Sequence, residues 1–435
     1  MKHATLIRYL IFAGVVHVTL TTAIFLAGHL QLLPNTFDQN GTGLTFAIDG
    51  ASYQRVASNL ADEMQTNGIA AWTNTKAPFH SRVYSLSFVT FGRVLGHNIF
   101  GAEPLNLLFY LSILTCIYFL GREIFDGRAG FVAAMTVALW PSFLLHSTQL
   151  IRDPISIACF LALVLVLTLL LSREFAWRGS VGAGVSGAVV VTLFWLVRGN
   201  MWNLVLFAVA LTFVLLLARI VQRHRLMLGN VIALLVIITA VLLVPPRLES
   251  TTLPGIRPPE TSTRVVKQIA ARRAGFRFYT SQASNIDRDV QFYTFGDIVR
   301  FVPRALVIGF FAPFPKMWFQ AGSFGHAGRL LSGAETLAMY FVYLLVGLSL
   351  WQDRRNLRMW FVFLIAATGM LALGLVVVNA GALYRIRYVF WMLLIVIGSR
   401  YLTVFRTNLT KSRTSSSLVS NDAIKRTSEI SSFQT

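Results

Sequence analysis

The stretch AGFVAAMTVALWPSFLLHSTQLIRDPISIACFLALVLVLTLLL, residues 129–171, holds two long apolar runs parted by a short polar break. Each run is about as long as a helix must be to cross a bilayer, roughly 20 residues. The break therefore sets Arg152 and Asp153 at a lipid boundary, immediately ahead of Pro154. Locally, Asp-Pro reads as a helix start, an N-cap with proline at the first position. At a membrane edge the same pair also reads as part of a site, and a cap that fixes where its side chain points is compatible with chemistry.

The rest of the chain extends this pattern. Of 435 residues 55% are hydrophobic and 13% charged, against about 25% charged in soluble domains. The expected fold is an all-α polytopic membrane protein of about ten transmembrane helices, near 7–30, 104–121, 129–147, 154–171, 181–197, 201–218, 228–244, 332–351, 359–378 and 388–405. The first run is long for a signal-peptide core and lacks a clear small-x-small cleavage site, so it reads as a retained helix. No internal repeat is visible, which removes support for an inverted-repeat transporter. Cys116 and Cys159 both fall inside apolar runs, which argues against a disulfide framework or a cysteine metal site.

The net charge of +20 does not point to nucleic acid, because no basic soluble segment with interleaved aromatics exists. Its arginines fall in alternate loops instead: GREIFDGR (121–128), SREFAWRG (172–179), ARIVQRHR (218–225) and WQDRRNLR (351–358). The positive-inside rule then puts these loops and the N-terminus in the cytoplasm. Two large segments, 31–103 and 245–331, are left outside. The chain divides into a transmembrane domain, 1–405, and a basic Ser/Thr-rich tail, 406–435, expected to be cytoplasmic and disordered. Within the first outer loop Tyr53, Val56, Leu60 and Met64 share a helical stripe, as an amphipathic surface helix requires. RVYSLSFVTFGRVLG (82–96) is short and contains Arg93; counting it as a crossing inverts every later loop, so it reads as a surface or half-inserted helix. The Pro-containing segment 298–319 reads as re-entrant or interfacial.

The charges that break the positive-inside rule are the informative ones. Arg152, Arg198, Arg385 and Arg387 all fall at the outer boundary. A guanidinium at that depth needs a partner, and its planar fork suits phosphate oxygens. Acidic residues are scarce, and two lie on the same side: Asp49, ahead of the surface helix, and Asp153. A carboxylate there can serve as general base toward an acceptor hydroxyl, although Asp49-Gly50 also fits a turn or a helix cap. His80, in KAPFHSRVY, is a candidate substrate contact, as is Tyr53. No cofactor is required by any motif; a divalent ion shared between the two acidic loops is the one metal arrangement considered. No P-loop, GxSxG elbow or dinucleotide fingerprint is present, so any donor is expected to be membrane-borne.

Taken in order, a first span leads to DGASYQRVASNLADEM, then KAPFHSRVY…FGRVLGHN, then a span ending YFLGREIFDGRAGFVAA, then STQLIRDPISIA. This arrangement, over residues 7–171, resembles the GT-C superfamily of integral membrane glycosyltransferases, which includes the protein O-mannosyltransferases and lipid A aminoarabinose transferases. The resemblance implies a polyprenyl-phosphate-linked sugar as donor and a lipid, glycan or protein acceptor. It implies a bacterial inner-membrane protein with its active site on the periplasmic face. It implies a general-base or acceptor-orienting role for Asp49, with Asp153 beside it in the second outer loop. Arg385 and Arg387, with Arg152, become contacts of the donor phosphate, and the basic segment 266–290 a cover over the site. The chain departs from the family's pattern in carrying a single Asp followed by Gly in place of an acidic pair, and Pro78 in place of a Pro-Pro. The alternatives are a flippase or transporter of lipid-linked saccharides, and a polysaccharide polymerase or ligase. A scarcity of mid-span charges weighs against the transporter.

Overall fold

A computed structural model describes residues 3–32, 36–38, 43–44, 48–244, 263–278, 285–319 and 325–403. The tail 406–435 and the Pro-rich start of the second outer segment lie outside the described residues. Helices account for the architecture, beside one small antiparallel pair, β1 (Phe37–Asp38) and β2 (Gly43–Leu44). Among the described residues six helical stretches are long and apolar enough to cross a membrane, and eight if two bent helix pairs each count as one crossing.

The difference from about ten has two places. First, α9 (Trp177–Arg198) and α10 (Trp202–Arg223) form one 47-residue apolar stretch, interrupted by the short 3-10 turn Gly199–Met201. Its two halves run in opposite directions, as their contacts with α8 (Asp153–Ser172) establish. Arg198 pairs with Asp153 at the start of α8 at 2.6 Å, whereas Arg219 donates to the Leu171 carbonyl at its end at 2.8 Å. Those ends are about 27 Å apart at 1.5 Å per residue, so the chain reverses at Gly199–Met201. Second, α11 (Leu228–Leu243) has 16 residues, about 24 Å of helix against a hydrocarbon core of about 30 Å. It packs closely against α9 through a small-residue face: a Cβ on Gly184 would meet the Ala233 Cα at 3.2 Å, and one on Gly187 the end of the Ile237 side chain at 2.5 Å.

One end of the bundle is stitched by polar contacts between the basic loops. Arg173 pairs with Glu123 at 2.5 Å, Arg358 donates to the Glu123 carbonyl at 2.6 Å, and Asn356 to the Ile124 carbonyl at 2.9 Å. Arg400 binds Asp353 and Asp126, at 2.9 and 3.2 Å. Loops far apart in sequence thus share one face, and the residues at 49, 153, 198 and 385 gather at the other.

On that other face lie α2 (Ile48–Asn67) and α4 (Phe79–Leu95). The buried stripe of α2 is Ala57, Leu60, Ala61 and Met64, with Tyr53 and Val56 at its half-buried margin. It packs on Tyr84 and Phe88 of α4, which in turn rest on Ile99 and Ala102 of α5 (Ile99–Ile124). α4 is not among the candidate spans, in keeping with its reading as a surface or half-inserted helix. α13 (Phe295–Phe311) starts at a capping box of Thr294 and Asp297 and lies along α16 (Leu357–Val376). Its last carbonyls lack intrahelical partners and are met from α15 (Gly325–Gln352): Tyr340 donates to Phe311 at 2.7 Å and Tyr343 to Phe310 at 2.9 Å.

Two acids are buried inside apolar helices. Glu335 lies in α15 and is buried, and Glu103, near the start of α5, accepts from His17 at 2.7 Å and Thr21 at 2.8 Å. Such groups are costly in lipid unless partnered, and these are.

The two-ended arrangement is checked by thiol accessibility in sealed vesicles. An impermeant maleimide is expected to label Glu174→Cys and Arg223→Cys from one side of the membrane, and Asp62→Cys and Asp289→Cys from the opposite side. Labelling of Glu174→Cys and Asp62→Cys from the same side contradicts the fold.

Candidate active site

The site is built around the first turn of α8. Arg152 occupies the N-cap position with helical φ/ψ and no side-chain cap, and Asp153 with Pro154 begins the helix. The cap reading of Asp153 is therefore corrected: its carboxylate turns to arginines, not to the helix amides. Oδ1 lies 2.6 Å from Arg198 Nη1, which also donates to Ser156 Oγ at 3.1 Å. Oδ2 lies 3.1 Å from Arg385 Nε, an ion contact without hydrogen-bond alignment. The Asp153 and Arg198 side chains are only 3% and 5% exposed.

Arg385 reaches further. It lies in α17 (Ala380–Ile386), which starts at Asn379, whose side chain accepts from the Ala382 amide at 2.9 Å. Its Nη2 donates to Asp49 Oδ2 at 2.9 Å. One guanidinium thus joins the two carboxylates singled out from sequence. Asp49 sits in the first turn of α2 with its side chain 46% exposed, so of the two acids it is the one open to an incoming group.

Tyr53 and His80 line the same place, their rings edge to face at 4.2 Å. Burial holds the His80 imidazole down to about 4, and the nearby Arg152 charge pushes the same way. Its Nε2 has no hydrogen-bond partner among the described residues. Burial raises the Tyr53 phenol, so it stays protonated and able to donate. Arg152 is half-buried, and its charge acts on Tyr53, His80, Asp153 and Arg198. It forms no ion pair among the described residues. Among the described residues three arginines therefore face two aspartates, both aspartates are engaged by Arg198 and Arg385, and Arg152 carries the excess positive charge.

Arg387 parts company with Arg385. It is fully buried, stacks on Trp391 with its guanidinium carbon 3.9 Å from the ring centroid, and donates to the Ala312 carbonyl and, at 3.4 Å, to Gly309. A cation at the C-terminus of a helix is favoured by the helix dipole, and this one closes α13. Two residues apart at the end of a short helix, the pair points in different directions.

Several residues that hold the site carry no obvious motif. Tyr84 donates to Asn106 Oδ1 at 2.7 Å and to the Ile151 carbonyl at 3.2 Å, and Asn106 donates to the Thr148 carbonyl at 3.1 Å. Gln149 accepts from the Leu44 amide at 2.8 Å. These contacts pin the loop that presents Arg152 and Asp153. Asn106 is a polar residue inside an apolar run, and that was the available signal. The basic segment is tied nearby: the Ile286 amide donates to the Val378 carbonyl at 2.7 Å, and Arg273, in α12 (Arg264–Phe278), donates to the carbonyls of Leu375 and Asp287 at 2.8 and 2.6 Å. These contacts tie its described residues to the α16–α17 junction. No group of three or more His, Cys, Asp or Glu suited to a metal ion occurs among the described residues, and Arg385 bridges the two carboxylates considered for one.

Two outcomes follow from this geometry. Asp153→Asn leaves two guanidinium groups without their shared anion and is expected to cost about 3–5 kcal/mol, whereas Asp49→Asn, at a half-exposed pair, costs less than about 1 kcal/mol. Thermal unfolding in detergent reads the difference, and equal losses contradict it. For His80, the unfolded chain binds its proton near 6.5 and the folded chain near 4. Its contribution is complete above pH 6.5 and is lost as pH falls toward about 4, with a slope of at most about 1.4 kcal/mol per pH unit. His80→Asn is expected to flatten that part of the stability profile; an unchanged slope contradicts the assignment.

Residues 78–243 match the family described as dolichyl-phosphate-mannose-protein mannosyltransferase. No curated protein and no solved structure matches the chain. The matched region runs from the residue before α4 to the end of α11 and contains His80, Arg152, Asp153 and Arg198. Asp49, Tyr53 and Arg385 lie outside it, and the fold brings them to it. Over residues 78–243 the chain is thus similar to the dolichyl-phosphate-mannose-protein mannosyltransferase family, GT-C membrane glycosyltransferases that take sugars from polyprenyl-phosphate-linked donors, and its helices are those of a multi-pass membrane protein.

Proposed function

We propose that the cluster around Asp49, Arg152 and Asp153 is the active site, and that it transfers a sugar from a polyprenyl-phosphate carrier to a hydroxyl of a lipid, glycan or protein acceptor. The observation that carries this reading is the charge arrangement: one half-exposed carboxylate, one cation with no ion pair among the described residues, and a buried Asp153–Arg198–Arg385 frame beside them. Asp49 takes the proton of the acceptor hydroxyl as its oxygen attacks the anomeric carbon. The bond from that carbon to the phosphate oxygen breaks, and the electron pair leaves with the lipid phosphate. Arg152 receives the developing phosphate charge, where a fixed cation needs no reorganisation during the reaction. Tyr53 and neutral His80 offer hydrogen bonds to sugar or acceptor hydroxyls. Asp153 is the counter-ion that sets the arginines; enclosed by two cations, it is a poor base.

The basic loops lie at the end of the bundle away from this cluster. The positive-inside rule then supports a site on the outer face, the periplasmic face in a bacterial inner membrane. A flippase is less well supported, because buried charges such as Glu103, Asp153 and Glu335 are satisfied by neighbouring side chains.

The test uses purified protein with dolichyl-phosphate mannose and a panel of polyprenyl-phosphate hexoses, following release of the lipid phosphate. Asp49→Asn is expected to lower turnover by at least about 100-fold at unchanged expression and thermal stability. Arg152→Ala is expected to raise the donor KM about tenfold. Full turnover by Asp49→Asn overturns the assignment.

A further inference from the structure

The two bent helix pairs point to a residue that no motif identifies. α6 (Gly127–Ala138) and α7 (Pro141–Ser147) meet at 71°, and α17 and α18 (Tyr388–Thr403) at 54°. Each bend breaks backbone hydrogen bonds at membrane depth, where unmet polar groups are expensive. α7 leads directly into residues 148–153, which carry Arg152 and Asp153, and α17 carries Arg385. The positions of these bends therefore set the ion cluster.

Glu335, on α15, grips both. Its Oε1 accepts from the Ser142 amide, an orphan N–H in the first turn of α7, at 2.8 Å. Its Oε2 accepts from Trp140 Nε1 at 2.8 Å and from the hydroxyls of Ser142 and Tyr384. Tyr384 is the residue before Arg385. Ser142 Oγ in turn accepts from Tyr388 OH at 2.8 Å, so the start of α18 joins the same network. Glu335 is buried at 5% exposure and pairs with no arginine or lysine among the described residues; four neutral donors hold it. α7 has no side-chain cap of its own, and Glu335 supplies one from another helix.

We propose that Glu335 is a positioning residue of the active site: by holding Ser142 and Tyr384 on one carboxylate, it fixes the spacing of the Asp153 turn and Arg385. This rests on the reading of the Asp49–Arg385–Asp153 cluster as the donor site. Glutamine is not an equivalent replacement. Whichever way its amide is turned, its NH2 faces a group that can only donate, the Ser142 amide or the Trp140 indole.

The experiment is a double-mutant cycle on the affinity of the purified full-length protein for dolichyl phosphate. Arg385→Ala changes the local balance of three arginines and two aspartates to an even one and is expected to weaken binding at least about tenfold. Glu335→Gln alone is expected to weaken it about three- to tenfold. If Glu335 acts through Arg385, the double variant binds within about twofold of Arg385→Ala alone; if it is merely structural, the two losses multiply. Tyr384→Phe, which removes one donor and keeps the ring, runs through the same cycle should Glu335→Gln fail to fold. Multiplying losses, or wild-type affinity in both Glu335→Gln and Tyr384→Phe, overturns the proposal while leaving the active-site reading intact. Wild-type protein that does not bind dolichyl phosphate, or an Arg385→Ala variant that binds it normally, removes the donor-site reading and this inference with it.

Discussion

A single buried carboxylate, Asp153, organises this end of the molecule. It lies between Arg198 of α9 and Arg385 of α17, so three helices meet at one anion. Neither arginine is tolerable at that depth alone, and neither is the carboxylate. Together they hold α8, α9 and α17 at a fixed register. Arg385 passes the constraint on to Asp49 at the head of α2, so the amphipathic layer is tied to the membrane bundle by the same charges. The arrangement leaves Asp49 half-exposed and Arg152 without an ion pair among the described residues.

The opposite end is held by different physics. There the polar contacts are mostly arginine or asparagine to backbone carbonyl or to half-exposed carboxylate, as at Arg358, Asn356 and Arg400. Contacts of this kind satisfy helix C-termini and are individually weak when solvated. The site end concentrates its charges in a buried cluster and holds its loop with Tyr84, Asn106 and Gln149.

Much of this was legible from residues alone, for a physical reason. Apolar runs of span length and arginines in alternate loops follow directly from the cost of burying backbone and charge in lipid, so the helical membrane fold and the common side of Asp49, Asp153, Arg198 and Arg385 could be read off. The number of crossings was harder, because a 47-residue apolar stretch and a 16-residue helix do not announce where the chain turns. Arg387 shows the limit for single residues. Its spacing from Arg385 matched the expectation, yet the turn from α17 into α18 aims it at the carbonyls of α13. Glu335 was invisible for a related reason: one acid in an apolar run acquires meaning only when Trp140, Ser142 and Tyr384 converge on it from distant parts of the sequence. Pairing across large sequence separations is set by packing, and local pattern does not encode it.

The most direct measurement is a structure of the full-length protein with dolichyl phosphate bound. Phosphate density within hydrogen-bond reach of Arg152, with Asp49 facing the position of the anomeric carbon, is the expected result. Phosphate held at another place in the bundle, with the Asp49–Arg385–Asp153 cluster closed and remote from it, would contradict the assignment.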